Sequence, residues 1–262
     1  MSSRKIDFNT PPVVETTWGV YFAPLAGWTA LEAGIFWDRV RADYPDAHLV
    51  NPVGAIEFPS LPTITSDEIT LETFPIRCKL TSANRNQLLQ IQSNSFRRSW
   101  RVTDTVPKYQ HYEETEPLFY ADWSRFLSFL TDRNIGQPSV WHCEVTYINH
   151  FEKGREWKAF ADIRDIFRWD SLPMVGGIEG RDLASFSFTH VSGSNRREID
   201  CQLAARRKDG KEVLQLRISS FNAPDANSEK GIRFAISTGH LEVIETFVAI
   251  TTEKVQELWG KL

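Results

Sequence analysis

Two stretches of the chain, residues 13–22 and 140–151, alternate between apolar and other side chains, and they constrain the fold more than any other feature. A period of two is typical of a β-strand with one buried face. Glu15 and Glu144 are expected to point away from the core, because successive side chains of a strand point to opposite faces. The side chains expected to point inward are Trp18, Val20 and Phe22 in the first strand and Trp141, Cys143 and Val145 in the second.

The same order of elements is predicted after each of these leading strands: a helix, about three strands and a second helix. Residue-level similarity between the two halves is slight, so the repetition is one of element order. Asp209-Gly210 is expected to form a type I′ turn, since that turn needs positive φ. The strands are predicted at residues 76–80, 87–94 and 96–102 in the first half, and at 183–191, 199–207 and 213–221 in the second.

Two helices are predicted in the first half. Thr29 and Glu32 form a capping box, and the helix that follows is expected to end near residue 43. The second helix is expected to begin at residues 115–117 and to end at 134–136. The side chains expected to face inward are Leu31, Ile35, Phe36 and Val40 in the first helix, and Phe119, Trp123, Phe126, Leu127 and Leu130 in the second.

The second half has a short helix at residues 158–169 and a longer one from about Gly231. Thr251 or Thr252 is expected to cap a last helical piece that ends at 258–259. The side chains expected to face inward are Phe160, Ile163, Ile166, Phe167, Leu241, Ile244, Phe247 and Val248.

This order of elements predicts an α+β fold in which helices cover one face of antiparallel strands. The two pseudo-duplicated halves, residues 1–136 and 137–262, are expected to form one compact unit. The strands make either two sheets or one long curved sheet. The two leading strands are expected to be neighbours, because their pairing removes two exposed edges.

Composition restricts the class of protein. With 41% hydrophobic and 24% charged residues, the chain is of ordinary globular type, and its net charge of −4 gives no whole-chain preference for nucleic acid or anionic membranes. No run of 18 apolar residues is present, and the polar start at residues 1–7 does not resemble a signal peptide, so no membrane association and a cytoplasmic location are expected. The 3 cysteines are far apart, which argues against a disulfide framework or a zinc site.

Three short motifs carry a resemblance to a known family. They are the start at residues 10–15 (TPPVVE), the segment at 143–150 (CEVTYINH) and the Trp-Gly pair at 259–260. In these motifs and in element order the chain resembles a sporadically distributed family of uncharacterised bacterial proteins. The resemblance implies no reaction, cofactor or catalytic residue. The patchy distribution of the family implies accessory genes, such as toxin–antitoxin or antiviral defence loci.

Candidate binding residues fall in two groups. Arginines beside aromatic residues on predicted strands can stack on bases and neutralise phosphates, or form a solvated face paired with carboxylates. In the segment at 147–149, an Asn inside a strand either bonds the backbone or anchors a ligand at the sheet edge. The candidate residues are Arg97, Arg98, Trp100, Arg101, Tyr147, Asn149, Arg197, Arg206 and Arg207.

Catalytic and metal sites receive little support from the sequence. In residues 142–144 (HCE) only His142 and Glu144 share a face, because successive side chains of a strand alternate. Zinc would need two further ligands, and no companion motif offers them. The loops at 176–180 and 192–194 lack the frames of a phosphate loop and of a nucleophile elbow. No cofactor, metal or catalytic set is expected, although catalytic partners can be remote in sequence.

The sequence therefore favours a binding or regulatory protein without catalytic activity that recognises a protein partner. A small-molecule sensor, in which a sheet grips a long helix, is the first alternative. Nucleic-acid binding through the arginine strands is the second and is less favoured, and self-association stays open.

Overall fold

The computed structural model describes residues 8–52, 76–168, 185–206 and 209–260. The strands are β1 (Val13–Phe22), β2 (Asp46–Val50), β3 (Arg77–Thr81), β4 (Gln87–Gln92), β5 (Ser95–Arg101), β6 (Val140–Glu152), β7 (Ser185–Ser192), β8 (Asn195–Ala205) and β9 (Glu212–Asn222). The helices are α1 (Ala30–Val40), α2 (Tyr112–Asp132), α3 (Glu229–Ile250), α4 (Glu253–Leu258) and a 3₁₀ helix at Phe160–Asp165.

The fold is α+β, as predicted, with an antiparallel sheet of nine strands in the order β2-β3-β4-β5-β1-β6-β9-β8-β7. The predicted neighbourhood of the two leading strands, β1 and β6, is confirmed by this order. The remaining strands follow as antiparallel ladders, with β3 pairing with β4, β4 with β5, β7 with β8 and β8 with β9.

The chain divides into two compact units. The middle unit is the continuous segment Trp18–Cys143, whereas the terminal unit combines Met1–Thr17 with Glu144–Leu262. Each unit has its own aromatic core.

The core of the middle unit is built around Phe126 of α2. Its ring lies 5.2 Å from that of Phe96 on β5, 5.6 Å from that of Phe36 on α1 and 5.4 Å from that of Trp28. Aromatic side chains recur along α2 at helical spacing, so a single stripe of this helix covers β1, β5 and α1. The predicted inward residues Phe36, Val40, Phe119, Trp123, Phe126 and Leu130 are all buried, and Leu127 is half-buried.

The core of the terminal unit is built around Trp259, which is fully buried. Its ring stacks on that of Phe151 at 5.5 Å and lies 5.3 Å from that of Phe247 on α3. Thr252 caps α4, as predicted, because its hydroxyl accepts a hydrogen bond from the amide of Val255.

Three inward assignments on helices are wrong. Leu31 and Ile35 of α1 are 80% and 41% exposed, and Leu241 of α3 is 49% exposed. The helix α1 packs through Phe36, so the buried positions are Ala33, Phe36 and Val40, and Leu31 lies on the far side. In α3 the buried stripe runs through Val243 and Phe247 instead, with Ile244 and Val248 half-buried.

Two assignments on β6 are also wrong. Cys143 and Val145 are buried as predicted, but Trp141 is 48% exposed and Glu144 only 2%. Residues 143–147 are all buried, so the middle of this strand is covered on both faces and alternation no longer separates the core from solvent. Glu144 lies beside Thr146, whose hydroxyl donates to its Oε1 at 2.7 Å.

The remaining differences concern boundaries. The helix α2 begins at Tyr112, three positions before the predicted start, with Pro117 inside its first turns. The segment predicted at 158–169 is a 3₁₀ helix of six residues, whereas Trp169 lies outside the described residues. The loop between β8 and β9 is longer than a two-residue turn, because the amide of Arg206 donates to the carbonyl of Lys211. Gly210 has the positive φ that was expected of it.

Candidate functional site

One stripe of α2 differs in chemistry from the aromatic stripe that packs in the core. Leu118, Ala121, Asp122 and Arg125 recur at spacings of three and four, so they share one face of the helix. Leu118 is 40% exposed, whereas Asp122 is 5% exposed. This face therefore combines an accessible apolar side chain with a buried carboxylate.

Arg98 of β5 supplies the counter-charge to Asp122. Its side chain is 1% exposed, and its Nε donates to Asp122 Oδ2 at 3.0 Å. Its Nη2 donates to the Oε1 of Gln87 on β4 at 2.6 Å. The position follows from the sequence of β5, because Arg98 alternates in register with the buried Phe96 and Trp100.

Two further donors complete the surroundings of Asp122. The hydroxyl of Tyr44 donates to Asp122 Oδ2 at 2.6 Å. Nη1 of Arg125 lies 3.3 Å from Asp122 Oδ1, and it also lies 2.7 Å from Oδ2 of Asp43. Burial raises the pKa of Tyr44 well above its usual value, so this phenol keeps its proton and donates a hydrogen bond at every physiological pH. Arg98, Asp122, Tyr44, Gln87, Arg125 and Asp43 are called the Asp122 cluster below.

A cleft of about 590 Å³ opens beside the Asp122 cluster, entirely within the middle unit. Its walls are the segment at residues 42–44 after α1, the β3–β4 loop at 82–84 and the α2 face just described. The small side chains Ala42, Ala83 and Ala121 leave the space open, and Ser82, Asn84 and Gln87 bring hydrogen-bonding groups to it. The volume is within the range that small-molecule sites occupy.

The electrostatics of this cleft are balanced. Two arginines and two aspartates form the cluster, and each aspartate accepts a hydrogen bond from at least one arginine. A ligand with a net charge would find no uncompensated partner here, whereas hydroxyl and amide groups would meet both donors and acceptors. The arrangement can therefore bind a polar, uncharged molecule.

The other arginine candidates of the middle unit are half-buried. Nε of Arg101 donates to the backbone carbonyl of Arg85 at 2.7 Å, which fixes it to the loop between β3 and β4. Arg97 lies close enough to lower the pKa of Arg77 by charge repulsion, after burial as the larger cause. Trp100 is fully buried and packs edge-on against Tyr109. It offers no exposed ring for stacking.

The candidates of the terminal unit make intramolecular contacts as well. The Tyr147 hydroxyl lies 3.0 Å from Nδ1 of His240, and the Asn149 amide donates to the Leu216 carbonyl at 3.3 Å. Nη2 of Arg197 lies 3.2 Å from Glu242, and Arg206 pairs with Glu152 and Asp209. Asn149 thus bonds backbone, as the first of the two interpretations of this residue predicts. Arg207 lies outside the described residues.

The three cysteines are buried free thiols. Burial raises the pKa of Cys78 to about 11, and that of Cys143 and Cys201 to about 12, with a smaller contribution from Asp200 for Cys201. A thiol with such a pKa holds almost no thiolate at neutral pH, so none of the three is an activated nucleophile.

The Asp122 cluster contains five residues that the sequence reasoning missed: Asp43, Tyr44, Gln87, Asp122 and Arg125. One signal was present, since Arg98 lies between two aromatic residues on a strand and an aspartate interrupts the aromatic stripe of α2. Opposite charges in two apolar patterns indicate a buried ion pair.

Neither a scan of protein-family models nor a search of curated proteins gives a match to this chain. Among the described residues, no helix is long and apolar enough to cross a membrane. In the same part of the chain no three His, Cys, Asp or Glu side chains are grouped so that they could hold a metal ion.

Proposed function

We propose that this protein is a binding protein and that the cleft of the middle unit takes a small, polar, uncharged ligand. The observation that carries the proposal is the pre-formed cleft of about 590 Å³ beside the Asp122 cluster. Pre-formed sites bind with a lower ordering cost than flexible ones, and Asp122 is held by hydrogen bonds from Arg98 and Tyr44 before any ligand arrives.

The chemistry of the walls supports the ligand class. The Asn84 and Gln87 side chains carry amides, which both donate and accept hydrogen bonds, and Leu118 adds an apolar contact at the rim. Sugars, nucleosides and N-acetylated amino-acid amides combine such groups with small apolar surfaces. This proposal assigns the small-molecule alternative to the cleft of the middle unit, whereas the sequence suggested a sheet that grips a long helix.

The test is a thermal-shift screen of uncharged sugars, nucleosides and N-acetylated amino-acid amides, followed by calorimetric titration of the compounds that stabilise the protein. Ala121→Phe should fill the cleft and weaken binding by more than about tenfold, since it removes the space that the ligand needs. Ser128→Phe, on the same helix but outside the cleft, is the matched control. Equal affinity of both variants for every compound, or the absence of any stabilising compound, would contradict the proposal.

Recognition of a protein partner is the second function that we propose, and the exposed face of α3 favours it. Phe234 is 66% exposed and Leu241 is 49% exposed, and their spacing of seven puts them on one side of the helix. Exposed aromatic and aliphatic anchors of this kind fill pockets at protein interfaces. Together with the family resemblance, this supports a cytoplasmic partner encoded nearby in a toxin–antitoxin or defence locus.

Co-expression with the product of the neighbouring gene tests the second function. The two proteins should co-purify, and Phe234→Arg should separate them, because a charge would replace the most exposed aromatic anchor among the described residues of α3. Leu31→Arg, a change of the same kind at an exposed apolar residue of α1, should preserve the complex. Elution of the chain without its neighbour would count against this function.

We further propose that the fold is a duplication with the helices on one face. The strand order supports it, because β5-β4-β3 extend outward from β1 just as β9-β8-β7 extend outward from β6. A helix follows the inner strand in each case, since α2 comes after β5 and α3 comes after β9.

A further inference from the structure

The strand β7 forms one edge of the sheet and lacks the features that usually protect an edge strand. It pairs with β8 over Ser185–Ser192 without interruption, and among the described residues nothing pairs with its outer side. The sequence SFSFTHVS contains no proline and no Asp, Glu, Lys or Arg. Most of its side chains are exposed, and Phe186 and Phe188 are half-buried.

Edge strands are usually protected against pairing with other chains. Short length, proline, lysine and bulges are the common devices, since each of them hinders the addition of a further strand. The opposite edge, β2, has five residues and begins with Asp46. The strand β7 has eight residues and none of these devices, so in the part of the chain that the structure describes its outer backbone groups are open to pairing.

The hairpin determines which backbone groups point outward. Ser192 and Asn195 close a loop of two residues, in which Gly193 has a φ of +59°. The closing pair of such a hairpin is hydrogen-bonded, and bonded pairs alternate along the ladder. The amide and carbonyl groups of Ser187, Thr189 and Val191 therefore point away from β8.

We propose that β7 pairs in antiparallel fashion with β7 of a second copy of this chain, around a twofold axis at Phe188. In this register the outward groups of Ser187 face those of Thr189 in the second copy, and Phe188 lies opposite Phe188. The two β7 strands have the same length and the same alternation of outward amide and carbonyl groups, as a twofold interface requires. Aromatic cross-strand pairs stabilise such a ladder.

The charge pattern selects a second copy over a foreign strand. A charged edge would repel its own copy and would attract a strand of opposite charge. Because β7 carries no Asp, Glu, Lys or Arg, two copies meet without repulsion between like charges, and a foreign strand gains no electrostatic advantage. The inference depends on neither the cleft nor the exposed face of α3.

Sedimentation velocity of the full chain across a concentration series tests the proposal. The wild type should form a dimer, and Thr189→Lys should raise the dissociation constant by about tenfold or more, because two ammonium groups then meet near the axis. Leu49→Lys, the same change on the edge strand β2, should leave the dimer unaffected. A wild type that is monomeric throughout, or a dimer that Thr189→Lys does not weaken, would overturn the proposal.

Disulfide trapping gives a second measurement that does not depend on the stability of the lysine variant. Under mild oxidation Phe188→Cys should give a covalent dimer, since directly opposite Cβ atoms approach to about 5 Å. The native cysteines are buried and do not compete. Ser192→Cys, at the far end of the strand, should stay unlinked. Equal cross-linking of both variants would refute the register.

Discussion

At the scale of single residues, the pair formed by Arg98 and Asp122 is the most consequential contact of the middle unit. Both side chains are buried, and Asp122 is the one carboxylate among the described residues that pairs with Arg98, so its removal would leave the arginine charge uncompensated in an aromatic surrounding. The surface pair of Arg39 with Asp132 has a similar geometry, but its side chains are 41% and 55% exposed. Burial, more than distance, separates the two cases, because water screens the exposed pair.

Asp122→Asn should therefore lower the free energy of unfolding by about 3–5 kcal/mol, the usual cost of breaking a buried ion pair. Asp132→Asn, on the same helix, should cost less than about 1 kcal/mol. Denaturant unfolding of both variants measures the difference. Costs of similar size for the two substitutions would mean that Arg98 does not depend on Asp122 for its counter-charge.

At the scale of elements, α3 lies so close to the strands that a side chain at one of its positions would crowd its neighbours. A Cβ atom at Gly239 would lie 3.1 Å from Val145 and 3.2 Å from the Asn222 amide, whereas at Gly34 of α1 it would meet nothing within 4 Å. Both glycines are inside helices, where alanine has the higher helix propensity. Only the surroundings differ.

The two glycine-to-alanine substitutions are expected to change the free energy of unfolding in opposite directions. Gly34→Ala should raise the free energy of unfolding by up to about 1 kcal/mol. Gly239→Ala should lower it by about 1–2 kcal/mol, because the overlap with Val145 outweighs the gain in propensity. Urea unfolding monitored by circular dichroism distinguishes them. Stabilisation by both substitutions would show that α3 can move away from the strands at no cost.

The strands were predicted better than the contacts between elements. Alternation and turn residues are local signals, and β1 begins and ends at the predicted residues. The inward faces of α1 and α3 were assigned from apolar residues alone, so Leu31 and Leu241 were misplaced. The Asp122 cluster joins Tyr44 to a carboxylate 78 residues away, and no local pattern specifies such a pairing.

At the scale of the whole molecule, the buried acidic groups determine the response to alkaline pH. The thiol pKa values of the folded chain lie above the ordinary value of 9.0, at about 11 for Cys78 and about 12 for Cys143 and Cys201. Burial raises the pKa values of Tyr44 and Tyr112 as well. The folded chain therefore holds these protons more tightly than the unfolded chain does.

The stability that the thiols contribute is complete below about pH 9 and should be lost as the pH rises toward 11 and 12. Each thiol should lower the free energy of unfolding by up to about 1.4 kcal/mol per pH unit in that window. Denaturant unfolding at pH 7 to 11 measures the slope, and Cys201→Ala should make it shallower. A free energy of unfolding that is constant to pH 11 would contradict this prediction.

The division into a continuous and a discontinuous unit has a consequence for the order of events during synthesis. The middle unit is complete once Cys143 has left the ribosome, but the terminal unit joins residues near both ends of the described chain, since the amide of Thr10 donates to the carbonyl of Trp259. Translation of the intervening segment takes on the order of 10 s, which is far longer than most domains need to fold. The nascent chain therefore carries a finished middle unit while residues 8–17 wait for the last part of the terminal unit to be made.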